Sequence, residues 1–304
     1  MKTALAVQQD LTDVSSISDN ELTQEEALQL AEELSAKLND GEIPGSDAES
    51  LKRMVAGLGD QRGALRLTFA KSLGLVGDAA LPILCNALRH HQNVVVRRAS
   101  AKTLNLIGSK NALPFLLEAF LEDNDPVVLG SSAGAMATIG PAAMDSLMEI
   151  LKNPDCTPFQ VGLINLALSF IGGKAPEALL EAADSDVTEV RVAAISALGD
   201  QIQTSNDQRA QNRVFEALSD RSADVRAEAV TLIGKSCDAE DVQELLIKKL
   251  SDDDQQVRKN TAMALMKLEA TDALVDLKKA EVIERDKNVK AVLGVAIKIL
   301  NSRD

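Results

Sequence analysis

Small and apolar residues recur at helical spacing along most of this chain, and the pattern is copied. "NVVVRRASAKTLNLIG" (93–108), "TEVRVAAISALG" (188–199), "ADVRAEAVTLIG" (223–234) and "QQVRKNTAMALMKL" (255–268) share one order. A polar turn is followed by an apolar residue, a basic residue, and then small and apolar positions three and four apart, such as Ala99, Ala101, Leu104 and Ile107. Anchored on the residue after the apolar position, the copies fall at Arg66, Arg97, Leu129, Gln160, Arg191, Arg226, Arg258 and Lys290, in steps of 31, 32, 31, 31, 35, 32 and 32. A period of this size held over seven steps marks a solenoid. In each unit a polar turn caps a first helix, and a glycine often stops it (Gly77, Gly108, Gly140, Gly199, Gly234). A second helix follows, as in "LPFLLEAF" from Leu113 or "VQELLIKKL" from Val242. Two short helices cannot bury their apolar faces alone, whereas stacked neighbours can. The predicted fold is all-α: a right-handed α-solenoid of about eight short helical hairpins over residues 62–304.

The repeated arginine implies a repeated structural job. Asp220 and Asp252 lie six residues before Arg226 and Arg258. The expectation is an inter-repeat ladder of carboxylate–guanidinium pairs, with Arg66, Arg191, Asp220, Arg226, Asp252 and Arg258 among its members. Ahead of the array, "LTQEEALQLAEELSAKL" (22–38) reads as a helix, with Thr23 as cap and Glu26 closing a capping box. "DGEIPGSD" (40–47) breaks it, and "AESLKRMVAGLG" (48–59) forms a second short helix. Residues 21–61 are therefore expected to cap the first repeat, and residues 1–20, polar and aperiodic, to be a disordered acidic tail.

Composition narrows the picture. With no Trp, no Tyr and six Phe, the core must be built from Leu, Ala, Val and Ile, which suits closely packed helices. The net charge of −14 disfavours nucleic acid, which needs a basic face. Residues 1–50 hold twelve acids against two lysines, a net of −10 that leaves −4 for the remainder. Cys85, Cys156 and Cys237 are too few and too scattered for a disulfide framework or a metal site, which points to a reducing, cytoplasmic setting. No apolar run is expected to span a membrane, and no signal peptide is legible at the start.

"VVRRASAKTLNLIG" (95–108), "DPVVLGSSAGAMATIG" (125–140) and "VRAEAVTLIG" (225–234) resemble HEAT repeats. The short period is most similar to the HEAT-like repeats of the phycobilisome lyase family. The cyanobacterial members attach bilins to phycobiliproteins, assist that step, or help dismantle the antenna. The resemblance implies a phycobiliprotein subunit as partner, with a second HEAT-repeat subunit as a further one. It also implies a bilin (phycocyanobilin or phycoerythrobilin) as substrate rather than as a permanently bound cofactor, and a place at phycobilisomes on the thylakoid surface.

Departures from the repeat are where function can enter. His90-His91 is the only histidine pair. His91 stands where Asp stands later, so it is either a structural substitute or, with His90, a group for proton transfer or for hydrogen bonding to a bilin propionate or pyrrole nitrogen. Leu129 replaces the ladder arginine and is followed by the tiny residues Gly130, Ser131, Ser132, Ala133 and Gly134, fitting either close helix packing or a flat ligand or partner. The unit "CTPFQVGLINLALSFIGG" (156–173) has lost its arginine and carries Phe159 and Phe170, expected as core. "GDQIQTSNDQRAQ" (199–211) reads as an inserted loop. Candidate ligand- or partner-binding residues are therefore His90, His91, Arg97, Arg98, Gly130, Ser131 and Ser132, with no metal ligand. No nucleophile–base–orienter triad can be drawn, so a bilin lyase, a lyase accessory subunit and a non-catalytic scaffold or chaperone all stay open. A metal or iron–sulfur carrier built on the three cysteines ranks last.

Overall fold

The computed structural model describes residues 22–205 and 207–302; the acidic tail predicted for residues 1–20 lies outside the described residues. Among the described residues every regular element is a helix. The first helices of successive hairpins are α3 (Gly63–Val76), α5 (Val94–Ile107), α7 (Pro126–Ile139), α9 (Pro158–Gly172), α11 (Thr188–Ser205), α13 (Ala223–Ser236), α15 (Gln255–Lys267) and α17 (Lys287–Asn301). Their second helices are α4 (Leu81–His90), α6 (Leu113–Glu122), α8 (Pro141–Leu151), α10 (Pro176–Ala182), α12 (Gln208–Ala217), α14 (Ala239–Lys249) and α16 (Leu274–Ile283). Ahead of them stand α1 (Gln24–Asn39) and α2 (Ala48–Gly57). The Thr23 hydroxyl accepts the Glu26 N–H at 3.2 Å while the Glu26 carboxylate accepts the Thr23 N–H at 2.8 Å, the reciprocal capping box legible in the sequence.

Two compact units are formed, one by residues up to Leu147 together with Pro158–Leu163, the other by Met148–Thr157 together with Ile164 onward. In the first, α1, α3, α5 and α7 lie side by side in order, with α2 against α4 and α4 against α6. The α1–α2 pair thus stacks as the later hairpins do. In the second, α11, α13, α15 and α17 lie side by side, with α12, α14 and α16 paired to them. The core is leucine and alanine, with Phe69 and Phe120 the largest fully buried side chains.

Three of the glycines predicted to stop first helices do so in conformations that L-residues avoid: Gly77, Gly108 and Gly140 have φ of 69°, 65° and 81°. Gly199 and Gly234 lie inside α11 and α13 instead. At Gly234 a Cβ would stand 2.6 Å from the Ala264 Cβ and 2.9 Å from its Cα, so the residue lets α13 approach α15 closely. The stretch read as an inserted loop is mostly helical, because α11 runs on to Ser205 and absorbs it. Residues 63–90 are long and apolar enough to cross a membrane by length and composition, with a mean hydropathy of 1.4 over an 18-residue stretch within them. Here they divide at Gly77 into α3 and α4, which bury Phe69, Leu73, Leu84 and Leu88.

Candidate functional site

The arginine ladder has one geometry, set by where each helix begins. Arg66, Arg97, Arg191, Arg226 and Arg258 are each the fourth residue of their helix. From there Nη1 reaches back to the carbonyl six residues earlier: His91 for Arg97 (3.0 Å), Ser185 for Arg191 (2.8 Å), Asp220 for Arg226 (3.0 Å) and Asp252 for Arg258 (2.9 Å). Arg66 makes the same bond to Asp60. The other edge of the guanidinium forks onto the acid of the following turn. Arg97 takes Asp123 (2.7 and 3.3 Å), Arg191 takes Asp220 (2.9 and 2.9 Å), Arg226 takes Asp252 (3.0 and 2.7 Å) and Arg258 takes Glu284 (2.7 and 3.0 Å).

The pairing therefore differs from the one read off the sequence. Asp220 gives Arg226 only its carbonyl, and its carboxylate belongs to Arg191, one hairpin back. A side chain six residues ahead of the fourth residue of a first helix points into its own turn, where it accepts the amide two residues on. Asp123, Asp220, Asp252 and Glu284 accept from Asp125, Ser222, Asp254 and Asp286 at 2.9, 2.8, 3.1 and 2.9 Å. One acid thus shapes its own turn and anchors the preceding hairpin. Planar bidentate recognition is the reason the residue is arginine and not lysine.

Charge follows geometry. The Arg258 guanidinium, outweighing partial burial, holds the Glu284 carboxyl down at about 2. At Asp252 burial pushes the pKa up, but hydrogen bonds from Arg226 and the Asp254 amide bring it down to about 2. Arg98, next to the ladder position, forks onto Asp125, the N-cap of α7, at 2.8 and 2.5 Å and holds it at about 2.

The residues singled out as candidates separate accordingly. Arg97 and Arg98 are both committed to carboxylates. His91 occupies the turn-acid place: its Nδ1 accepts the Asn93 N–H at 3.1 Å. His90, the last residue of α4, is exposed. Gly130 and Ser131 are half-buried on α7, whereas Ser132 is fully buried. His90 ends α4 and His91 lies in the turn before α5, whereas the small residues stand on α7, the next first helix after α5.

The ladder is interrupted in α7 and α9. Leu129 is the fourth residue of α7, as read from the sequence, but the fourth residue of α9 is Val161, not Gln160. Gln160 is buried, and its amide donates to the Phe120 carbonyl at 3.2 Å. Phe159 and Phe170, expected in the core, are 50% and 66% exposed. The thiols are poor nucleophiles: burial raises the pKa of Cys156 and Cys237 and pushes Cys85 up to about 12. Among the described residues no group of three His, Cys, Asp or Glu could hold a metal ion.

Serial helical hairpins joined through repeated turn contacts define a HEAT-repeat protein, and the HEAT-repeat family model matches residues 51–137 and 212–298. A chain of a Kap95:Nup1 complex shares the fold, with a TM-score of 0.51 at 15% identity over 89% of this chain and 42% of that one. Within the HEAT-repeat proteins, the chain belongs to the family of the bilin biosynthesis protein MpeU of Synechococcus sp. (strain WH8020). The two are 55% identical over 275 residues, 90% of this chain and 93% of that protein. Phycocyanin operon protein Z of Pseudanabaena tenuis (strain PCC 7409) is 32% identical over 164 residues, 50% of this chain and 81% of that protein.

Proposed function

We propose that this protein binds a phycobiliprotein subunit and a bilin and assists attachment, isomerisation or removal of the chromophore. The observation that carries the reading is the 55% identity to a bilin biosynthesis protein, spanning 93% of that relative. The side chains support positioning over covalent catalysis, since the three thiols are held protonated. Orientation alone contributes several kcal/mol to a barrier when a reactive group is held beside its acceptor. The substrate is a bilin, phycocyanobilin or phycoerythrobilin, bound transiently. A second HEAT-repeat subunit is a further proposed partner, and phycobilisomes at the thylakoid surface the proposed place of action. His90 is the proposed proton or hydrogen-bond donor, because it is exposed while Arg97 and Arg98 are engaged. That engagement also favours a second reading, a non-catalytic scaffold or chaperone for the same partner.

Co-expression with apo-phycobiliprotein subunits and a bilin supply tests the proposal. Covalent pigment on the subunit should change in amount or in bilin type when the protein is present. Pigmentation identical in its presence and absence would contradict catalytic assistance. If the protein nevertheless forms a stable complex with the subunit, the scaffold reading stands.

A further inference from the structure

On α3, Leu67, Lys71 and Leu75 follow one another at four-residue spacing and so share one face. Arg98, Lys102 and Leu106 hold the same places on α5, and Gly130, Gly134 and Thr138 hold them on α7. The three helices lie side by side and run in step. A Cβ at Gly74 of α3 would meet the Leu106 Cβ at 3.4 Å, and the Thr138 hydroxyl of α7 donates to the Asn105 side-chain oxygen of α5. Leu67, Leu75 and Leu106 are 53%, 54% and 58% exposed, and both lysines are exposed. Among the described residues neither lysine makes an ion pair, whereas Arg98 is engaged by Asp125. No acid stands on α3, α5 or α7, although the chain holds 46 acids and a net charge of −14. The ladder is also incomplete here. Among the described residues Arg66 bonds the Asp60 carbonyl but no carboxylate, and α7 has Leu129 in place of arginine.

We propose that this face binds the bilin, with Lys71 and Lys102 taking its two propionates and Leu67, Leu75 and Leu106 its pyrrole rings. The inference rests on the proposed function and assigns the place on this chain where that substrate sits. Charge selects the ligand. The two ammonium groups stand at one register position of neighbouring helices, whose axes pack about 8–10 Å apart, and both stems are flexible. A linear tetrapyrrole carries one propionate on each of its two central rings, so two carboxylates share one edge of a flat and otherwise apolar body. Each lysine can lay its stem along the leucines and turn its charged end to a propionate. From Leu67 to Leu75 is about 12 Å at 1.5 Å per residue. A patch of that length and two helices wide matches one such molecule, and it falls well short of the ~800 Å² per partner of a stable protein interface. At Gly134 a Cβ would meet nothing within 4 Å, so the surface of α7 stays low beside Lys102 and a flat ring can extend over it.

Titration of the purified full chain with phycocyanobilin, followed by bilin absorbance, tests the site. Lys71→Gln/Lys102→Gln should weaken binding about tenfold, since each exposed ion pair is worth up to about fivefold. The unmodified protein should bind phycocyanobilin dimethyl ester, which has no carboxylates, about as weakly as the lysine variant binds the free acid. Leu75→Ser/Leu106→Ser should weaken binding of acid and ester alike. Lys235 and Lys267 also stand at one register position of neighbouring first helices, α13 and α15, but have Thr231 and Met263 four residues before them instead of leucine. Lys235→Gln/Lys267→Gln should therefore stay within about twofold of the parent. Ester bound as tightly as acid by the unmodified protein, or acid bound equally well by the Lys71/Lys102 variant, overturns the inference and leaves the proposed function intact. If that variant binds bilin normally but loses the phycobiliprotein subunit, an acidic protein segment is the occupant and the inference falls. Absence of bilin binding by the unmodified protein also overturns it; the proposed function falls with it only when pigmentation in the co-expression assay is unchanged as well.

Discussion

Removing the Arg226 side chain tests the ladder where its geometry is most complete. Nε and Nη2 fork onto Asp252 at 3.0 and 2.7 Å, and Nη1 bonds the Asp220 carbonyl at 3.0 Å. The side chains of Arg226 and Asp252 are only 12% and 5% exposed. A further 2.7 Å contact with Asp253, which is 92% exposed, adds little, since exposed pairs rarely exceed about 1 kcal/mol. Arg226→Ala leaves the Asp252 charge with the Asp254 amide (3.1 Å) and a distant Lys249 (3.5 Å). Uncompensated buried charges cost about 3–5 kcal/mol, and water entering at this partly exposed edge recovers some of that. The expected loss is therefore ~2–4 kcal/mol. Urea unfolding followed by circular dichroism measures it, with Arg226→Ala, Asp252→Asn and the double variant forming a cycle whose coupling should be about 1.5–3 kcal/mol. Arg209→Ala is the control, because its pair with Glu177 is 56% and 74% exposed and should be worth less than about 1 kcal/mol. A loss below about 0.5 kcal/mol for Arg226→Ala, or a coupling near zero, would refute the view that the rungs hold adjoining hairpins together.

Acid should dissolve the same rungs. Asp252 and Glu284 have folded pKa values depressed to about 2, so the stability they contribute is present above their unfolded values near 4 and is lost as pH falls from about 4.5 towards 2. Each accounts for on the order of 2 kcal/mol; urea midpoints measured from pH 6 to pH 2.5 should fall steeply below pH 4.5, and less steeply in Arg258→Ala, which has already lost the Glu284 share. Two glycine substitutions should act in opposite directions. Gly234→Ala should destabilise by ~1–3 kcal/mol because its methyl meets the Ala264 Cβ and Cα, whereas Gly134→Ala, whose Cβ meets nothing within 4 Å, should raise stability by about 0.5–1 kcal/mol in the same unfolding assay. His91→Asp should raise the thermal midpoint, because a carboxylate there both accepts the Asn93 amide and offers Arg66 the fork that Arg97, Arg191, Arg226 and Arg258 have; a lowered midpoint would contradict the equivalence of the turns.

The hairpin array was legible because period, turn chemistry and apolar spacing agree in every unit, and the ladder arginines mark the fourth residue of all but three first helices. The partner of each arginine was not legible. Sequence proximity favours Asp220 for Arg226, but a guanidinium reaches across to the next turn, 26 residues on. Gly234 read as a helix stop because helix-ending and close-packing glycines look alike in sequence; only the neighbouring Ala264 separates them. The anchor in α9 slipped by one residue, since Gln160 is polar like the arginines while Val161, at the true position, is not. That slip hid the exposure of Phe159 and Phe170: counted from Val161, they fall where α13 carries Asp224 and Lys235.

The central claim is that guanidinium rungs hold the hairpins together, while the proposed work on a phycobiliprotein is done where they are missing. Covalent pigment attached per molecule of folded protein at limiting bilin, compared between Arg226→Ala and Lys71→Gln/Lys102→Gln, tests it most directly. The account predicts that Arg226→Ala lowers the unfolding midpoint but leaves pigment per folded molecule unchanged. It predicts the reverse for the lysine variant, an intact midpoint and a several-fold loss of pigment. A lysine variant that pigments normally, or a rung variant that stays stable yet fails to pigment, contradicts it.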